Sequence, residues 1–331
     1  MSAAYHVVRR APYNVAETII AIPTFKRPDR LRHLLEAIAR QEGTQDTAIL
    51  IADNDADGQE GLGVATTLAE GGYPLPIEVI LVPQPGLCHV RNALVAQALG
   101  HAATRRIAMI DDDEWPQPGW LQALLAMQRV TGAAVVGGPV IPCFAEARPA
   151  WAEQTLIFRP EQRAEGRTSL LYAGNNLLVT AQALEMLDAP WFDPRFDRSG
   201  GEDLDFLTRV ERLGLSFAWA PDARVCEWVG SERARRGWVL RRMWRIGVTD
   251  TMVARKGRPG LGGSAVLSAR ALSLLALRTA ALPTLAWRRS RRLDIAGQWV
   301  KAVARIYALA GGSDAIYAAP GPVSSRRLGS S

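Results

Sequence analysis

Thr18-Ile19-Ile20-Ala21-Ile22-Pro23-Thr24-Phe25-Lys26-Arg27-Pro28 is a β-branched apolar run that stops at a proline and two cations. The apolar part reads as a buried strand, and Pro23 begins the loop that follows it. Pro28 to Gln41 comes next, with Leu31, Leu34, Leu35 and Ile38 at helical spacing and Pro28 at the entry, so a helix is expected there. The alternation continues downstream. Ala48 to Ala52 reads as a strand closed by Asp53-Asn54-Asp55, Glu60 to Glu70 as a helix and Ile77 to Val82 as a third strand. Leu87 to Leu99 reads as a helix, Ile107 to Ile110 as a fourth strand and Gly119 to Arg129 as a helix. This rhythm predicts an α/β fold with a mostly parallel central sheet and helices on both faces. Such sheets bind ligands beyond the carboxyl ends of their strands.

The rest of the chain is less regular at first. Residues 140–200 are rich in Pro, Trp and Arg and are expected to supply loops and an acceptor-side surface. A helix over 202–213 and a strand over Ser216 to Trp219 follow. Beyond Gly230 arginines interleave with Trp238, Met243, Trp244 and Ile246, the composition of a basic amphipathic helix able to lie in a membrane interface. A Gly-rich hinge is expected at 257–263. Ala265 to Trp287 is apolar but carries Arg270, Arg278 and Pro283. Two arginines at the bilayer centre would cost roughly 2.5–3.5 kcal/mol each, which favours peripheral docking or a packed helical pair over a spanning segment. The expected division is a nucleotide-binding domain over 1–230, a basic helical region over 231–320 and a disordered tail over 321–331.

Charge divides the same way. Residues 1–230 carry 20 Lys+Arg against 29 Asp+Glu, and residues 231–331 carry 19 against 4. The basic part is either a solubilising surface or a partner for an anion, phospholipid head groups or a phosphorylated substrate. Nucleic acid fits poorly, because the basic stretch is aliphatic-rich and the front is acidic. A hydrophobic content of 48% excludes wholesale disorder. Cys88, Cys143 and Cys226 are widely spaced in sequence and form no metal or disulfide pattern, which favours a reducing, cytoplasmic compartment. Met1 to Asn14 has no continuous apolar core, so no signal peptide is expected.

The strongest chemical signal is Ile110-Asp111-Asp112-Asp113-Glu114. Adjacent carboxylates after a buried strand repel one another and call for a cation. Mg²⁺ or Mn²⁺ fits, since both prefer carboxylates and leave positions open for phosphate oxygens. If the segment is extended, Asp111 and Asp113 share a face and Asp112 points away. The plain alternative is a loop of solvated acids before the next helix.

Five segments together carry a resemblance: Ile22 to Arg27, Ile51 to Asp55, Gly86 to Asn92, Asp111 to Asp113, and Gly201-Glu202-Asp203. In this order and spacing they resemble family 2 of the inverting glycosyltransferases, over about residues 17–250, and the Arg- and Trp-rich stretch 233–247 resembles its exopolysaccharide branch. The resemblance implies a GT-A fold, an NDP-sugar donor (a UDP-sugar foremost), and a glycan or polyprenyl-diphosphate-linked acceptor. It implies that Asp53 binds the nucleobase and that Pro23, Thr24 and Arg27 contact the nucleotide. Arg91, beside Asn92, would approach the diphosphate or the base. Asp111 would sit at the ribose, with Asp112 among the donor-side acids, and Asp113 on the metal. Asp203 would be the general base, with Glu202 the second candidate.

Relatives often place a metal-binding His after the late strand, where this chain has Glu227. Glu227 is therefore either a metal ligand, with Asp111 and Asp113, or a partner of the arginines at 233–236. His89 reads as structural before functional, and Gly174-Asn175-Asn176 as acceptor-site or turn. Trp151 and Trp191 read as packing residues that could also stack on a sugar. A dinucleotide oxidoreductase is excluded because no G-x-G-x-x-G follows the first strand, and a nucleotidyltransferase because no Gly-rich phosphate loop does. A membrane-associated scaffold on a degenerate transferase fold is the remaining alternative.

Overall fold

The computed structural model describes residues 15–172, 174–285, 287 and 291–312. The segments expected to lack a signal (1–14) and to form a tail (321–331) lie outside the described residues. The chain runs β1 (Thr18–Thr24), α1 (Pro28–Ala39), β2 (Thr47–Asp53), α2 (Glu60–Glu70), β3 (Ile77–Leu81), α3 (Leu87–Leu99), β4 (Arg106–Met109), β5 (Glu114–Pro116), α4 (Trp120–Thr131), β6 (Val135–Gly137) and β7 (Val140–Phe144). It continues α5 (Ala150–Glu153), β8 (Gly166–Thr168), β9 (Leu177–Thr180), α6 (Ala181–Glu185), α7 (Glu202–Arg212), β10 (Phe217–Trp219), β11 (Val225–Val229), α8 (Arg236–Lys256), α9 (Gly260–Ala280) and α10 (Arg292–Leu309).

Eight strands form the central sheet in the order β3-β2-β1-β4-β9-β6-β10-β8. The first four run parallel, as the alternating pattern requires. Beyond them the sheet is mixed, because β9 inserts antiparallel between β4 and β6. The irregular middle of the chain thus supplies a central strand, not only loops. β1 shows why its sequence is apolar throughout. Ile19 and Ala21 enter the core on one face, with Leu94, Val95, Phe206 and Val210 of α3 and α7. Ile20 and Ile22 enter the other, with Leu34, Val64 and Leu124 of α1, α2 and α4. A strand covered on both sides has no polar face to alternate with.

The register sets the strand ends side by side. Thr24 of β1 pairs with Asp53 of β2, and Ala21 pairs with Met109 of β4, so the loops at 25–27, 54–55 and 110–113 leave the sheet at one edge. A second sheet of three strands, β5-β11-β7, sits beyond that edge and aligns Glu227 with Glu114. It also puts Cys226 and Cys143, distant in sequence, on adjacent strands. All three cysteines are free, and burial followed by Cys143 pushes the Cys226 thiol up to about 12.

The C-terminal helices differ from the sequence expectation in two respects. The 257–263 stretch is partly helical: Gly257 caps α8, and α9 already begins at Gly260. The aromatic side chains of α8 are not free to anchor in a membrane, since Trp238 stacks on Phe158 and Trp244 packs on Tyr307 of α10. α8 and α10 meet closely at small residues. A Cβ at Gly247 would stand 2.5 Å from the Lys301 carbonyl and 2.7 Å from Ala304. Val253 of α8 joins the α3/α7 face of the main core, and Lys256 reaches Asp193 and Asp205, each at 2.7 Å. The apolar helix left open is α9, where Leu261, Val266, Leu272 and Leu277 are exposed.

Candidate active site

Two glycines build one side of the site. Gly200 and Gly201 have φ of 74° and 99°, a conformation a side chain resists. They turn the chain so that α7 starts with Glu202 and Asp203 at the cleft. The macrodipole of α7 favours these acids at its first turn, so structural and chemical roles coincide there.

The other side is the 110–114 segment, and here the structure corrects the sequence reading. β4 ends at Met109, and the Glu114 amide donates to the Asp111 carbonyl at 3.1 Å. Asp111 to Asp113 therefore lie in a turn, and the alternation of an extended strand does not sort them. Each acid instead meets its own set of cations, with Arg27 shared between Asp112 and Asp113. Asp112, expected to point away, is the one tied to the β1 loop: it accepts from Thr24 Oγ1 and Arg27 Nη1, both at 2.9 Å, and from the Phe25 amide at 3.4 Å. Arg27 can reach it because it stands at the N-cap of α1 without a capping bond of its own. Asp113 Oδ2 meets Arg27 at 3.2 Å, Arg30 at 3.7 Å and Arg233 at 3.2 Å. Asp111 Oδ1 meets Arg91 Nη2 at 3.2 Å.

Arg91 joins the two sides. Its Nη1 reaches Glu202 at 3.2 Å and also contacts Asp203. Burial would lower the guanidinium's pKa, but Asp203, Asp111 and Glu202 outweigh that and raise it. Residues twenty and more than a hundred positions apart thus share one buried arginine. Glu227 pairs with Arg233 at 2.7 Å, the second of the two expectations for it. Glu114, absent from the sequence-derived set, accepts the Asp111 amide at 3.1 Å and contacts Asn175.

Other expected positions resolve differently. Asp53 is fully buried, and its oxygens accept the Asp55 amide at 3.0 Å and the Leu62 amide at 3.1 Å, so it holds the start of α2 and does not line the cleft. Pro23, Thr24 and Asn54 do line it. Asn176 is an interior lock, accepting from Trp120 Nε1 at 2.7 Å and donating to Ala223 O at 2.8 Å. Gly174 lies so close to Asp203 that a Cβ would overlap its carboxyl group. His89 pairs with Asp197 at 3.4 Å. Trp191 donates to Leu184 O at 2.9 Å and Trp151 packs on Phe158.

The electrostatics are those of an acid surplus. Asp111, Asp112, Asp113, Glu114, Glu202, Asp203 and Glu227 face Arg27, Arg30, Arg91 and Arg233. Burial, then Asp113 and Asp203, push Asp111 up to about 6. Burial and Asp203 push Glu202 up to about 7. Burial also raises Asp112, Glu227 and, with Asp111 and Glu227 beside it, Glu114. Among the described residues no three His, Cys, Asp or Glu groups converge at metal-binding spacing. The donor chemistry nonetheless fits a hard dication: carboxylate oxygens in surplus, with the Asp113 and Glu227 carboxylates bridged by Arg233. A dication would take Asp113 by displacing a guanidinium. Arg30 and Arg233 were missed as site residues because arginine-rich helix and loop sequence reads as surface. The one signal was the charge complement of Glu227 and the arginines six to nine residues later.

Apart from Arg30 and Glu114, these groups line a cleft of about 2030 Å³ that runs from the strand ends to α8, α9 and α10. Comparison with known proteins agrees with the fold. The pattern of the family described as "Glycosyl transferase family 2" matches residues 19–186. The succinoglycan biosynthesis protein ExoM of Rhizobium meliloti (strain 1021) is 31% identical over 248 residues, 73% of this chain and 76% of that protein. Among solved structures, the mannosyltransferase PcManGT of Pyrobaculum calidifontis, in complex with GDP-Man and Mn²⁺, aligns with a TM-score of 0.58 at 16% identity over 92% of this chain and 90% of that one. S. aureus TarS 1-349 aligns with a TM-score of 0.52 at 13% identity, over 89% and 92%.

Proposed function

The chain belongs to glycosyl transferase family 2, and from that premise we propose that it transfers one sugar from a nucleoside-diphosphate donor, a UDP-sugar foremost, to a hydroxyl of a glycan or lipid-linked acceptor with inversion. The observation that carries this reading is the Arg91 junction. It brings the Asp111–Asp113 turn and the Glu202–Asp203 helix start to one cleft, each at hydrogen-bond or ion-pair range of the same guanidinium. The succinoglycan role of ExoM supports assembly of a bacterial surface polysaccharide as the setting.

Asp203 is the proposed base. Its side chain is 24% exposed against 10% for Glu202, so it is the more accessible carboxylate for an acceptor hydroxyl. Glu202, raised to about 7, accepts from Arg91 Nη1 at 3.2 Å and keeps the guanidinium oriented. Pro23, Thr24, Arg27 and Asn54 form the donor-side wall, and Gly174 presses on Asp203 from the opposite loop. Asp111, Asp113 and Glu227 would hold Mn²⁺ or Mg²⁺, which when bound supplies positive charge to a leaving diphosphate. Arg233 and Arg27, displaced from Asp113, then remain at the cleft as phosphate-binding cations. Residues 231–312 are proposed as a helical unit for the acceptor and for an anionic membrane surface.

Asp113→Asn tests the reading. Incubation with labelled UDP-sugars and a lipid-linked acceptor should show transfer by the wild type and loss of at least about 100-fold in the variant, with an unchanged circular dichroism spectrum. Undiminished transfer by Asp113→Asn removes Asp113 from the donor site.

A further inference from the structure

The helix that carries Arg91 has no cap of its own. Gly86, at the N-cap of α3, makes no side-chain capping bond, and its backbone resists a residue that would. Its φ is 131°, and a Cβ there would stand 2.6 Å from the Asp197 carboxyl group. The space a local cap would use is thus filled by Asp197, 109 positions beyond Cys88. The Cys88 amide donates to Asp197 Oδ1 at 2.6 Å, and His89 Nε2 stands 3.4 Å from Oδ2. A carboxylate suits the positive end of a helix macrodipole.

The segment that brings Asp197 is itself clamped to α3. Asn92 Nδ2 donates to Phe192 O at 2.7 Å, and the Phe192 amide donates back to Asn92 Oδ1 at 2.9 Å. Cys88 Sγ donates to Asp193 O at 3.3 Å, and burial, then Asp197, push this thiol up so that it keeps its proton. The Arg91 guanidinium lies over the Phe192 ring, 5.5 Å from its centroid. A 3₁₀ turn, Pro194–Phe196, ends at Asp197, and Phe196 O accepts the Gly200 amide at 2.8 Å. Gly201 then caps α7, which opens with Glu202 and Asp203. One short stretch therefore holds the first turn of α3 at Asp197, the next turn at Asn92, and the approach to α7 at Phe196. A cap at position 86 would steady α3 but would fix nothing about α7.

That spacing is what the Arg91 junction needs. The guanidinium reaches Asp111 and Glu202 at 3.2 Å each and contacts Asp203, so a small shift of α3 against α7 breaks one arm. We infer that Asp197 is a positioning residue for sugar transfer: it fixes the first turn of α3 against the segment that begins α7, and so keeps Arg91 on Glu202 and Asp203. The link to transfer rests on the glycosyltransferase reading; the link to Arg91 does not.

The test uses the full chain, with Asp197→Ala and Asp197→Asn. In transfer from labelled UDP-sugars to a lipid-linked acceptor, Asp197→Ala should lose about 100-fold in kcat, the cost of a displacement near 1 Å. Its KM for the donor should stay within about threefold, since donor binding is not what the clamp serves. Asp197→Asn should recover to within about tenfold of the wild type, because its Oδ1 still accepts the Cys88 amide. A second measurement reads Arg91 directly. Its Nε–H signal in nitrogen-resolved NMR, identified by its absence in Arg91→Lys, should exchange slowly with solvent in the wild type and Asp197→Asn, and fast in Asp197→Ala.

Wild-type kcat in a folded Asp197→Ala overturns the inference, as does an Asn variant as impaired as the Ala one, which would assign the effect to charge. A raised donor KM at unchanged kcat overturns it too, by making Asp197 a donor-binding group. So does slow Arg91 exchange in Asp197→Ala. A wild type that transfers no sugar from any donor overturns the glycosyltransferase reading instead, and the Arg91 signal then decides the positioning role alone.

Discussion

Arg91 is buried, 5% exposed, and bonded to Asp111, Glu202 and Asp203 at once. The resemblance assigns this residue to the donor, yet its guanidinium is also what allows three carboxylates to crowd one cleft. Removing it leaves buried acids uncompensated, which costs more than the pair itself contributes. Arg91→Met is expected to destabilise by about 3–5 kcal/mol in urea unfolding, with Glu202 and Asp111 taking up protons. A loss below about 1 kcal/mol would mean that the cluster does not depend on this cation. Glu114 follows the same logic in reverse. It is a buried acid whose pKa burial, Asp111 and Glu227 push up, and it holds the Asp111 amide and Asn175 so that the turn keeps its shape.

At the scale of elements, α9 packs on α10 and α8 yet leaves an apolar face open. Its inward residues Leu267 and Ala271 are buried, while Leu261, Val266, Leu272 and Leu277 on the rest of the helix are exposed, Leu261 at 91%. By length and composition Gly260–Thr284 is a helix apolar enough to cross a membrane, with a mean hydropathy of 1.5. Arg270 and Arg278 within it argue for lying in the interface, where arginines can reach head groups. The strongly basic composition of residues 231–331 supplies the complementary charge for an anionic bilayer. Co-sedimentation with phosphatidylglycerol vesicles should therefore be strong and salt-sensitive, and Leu272→Glu/Leu277→Glu should reduce it by about tenfold or more. Equal sedimentation of that variant would free α9 from the membrane role and return its exposed face to some other partner. The amphipathic pattern seen in the sequence of α8 has a different outlet, since its tryptophans pack on Phe158 and Tyr307 inside the protein.

Across the whole molecule, the acid surplus links stability to pH. Asp111 stands at about 6 and Glu202 at about 7, against ordinary values of 3.8 and 4.5. Between the ordinary and the raised values the folded protein holds protons that the unfolded chain has released. Stability must then fall as pH rises through that interval. Metal-free protein is expected to lose melting temperature from about pH 4.5 to 7, and Glu202→Gln to flatten the fall. Millimolar Mn²⁺ at neutral pH should restore the loss, since a ligand bound only by the fold stabilises it. A melting temperature that rises across the same interval would contradict the burial of these two carboxyls as the source of their shifts.

The sequence alone determined the alternation of strands and helices in the first half, because a strand buried on both faces and a helix buried on one leave different apolar periods. It also determined which segments end at the functional edge, because a parallel sheet puts every loop after a strand on the same side. Its motifs were specific enough to identify the family before any contact was known. Tertiary structure alone decided which cation each acid meets. Asp112 faces Thr24 and Arg27, Asp113 faces Arg233 across 120 positions, and Asp53 turns inward to α2. Those pairings depend on a turn at 110–114 and on where α8 docks, and neither leaves a local period in the chain. The acidic front and basic back were visible as composition, but only packing set α7 to α10 along the cleft that also holds Asp203.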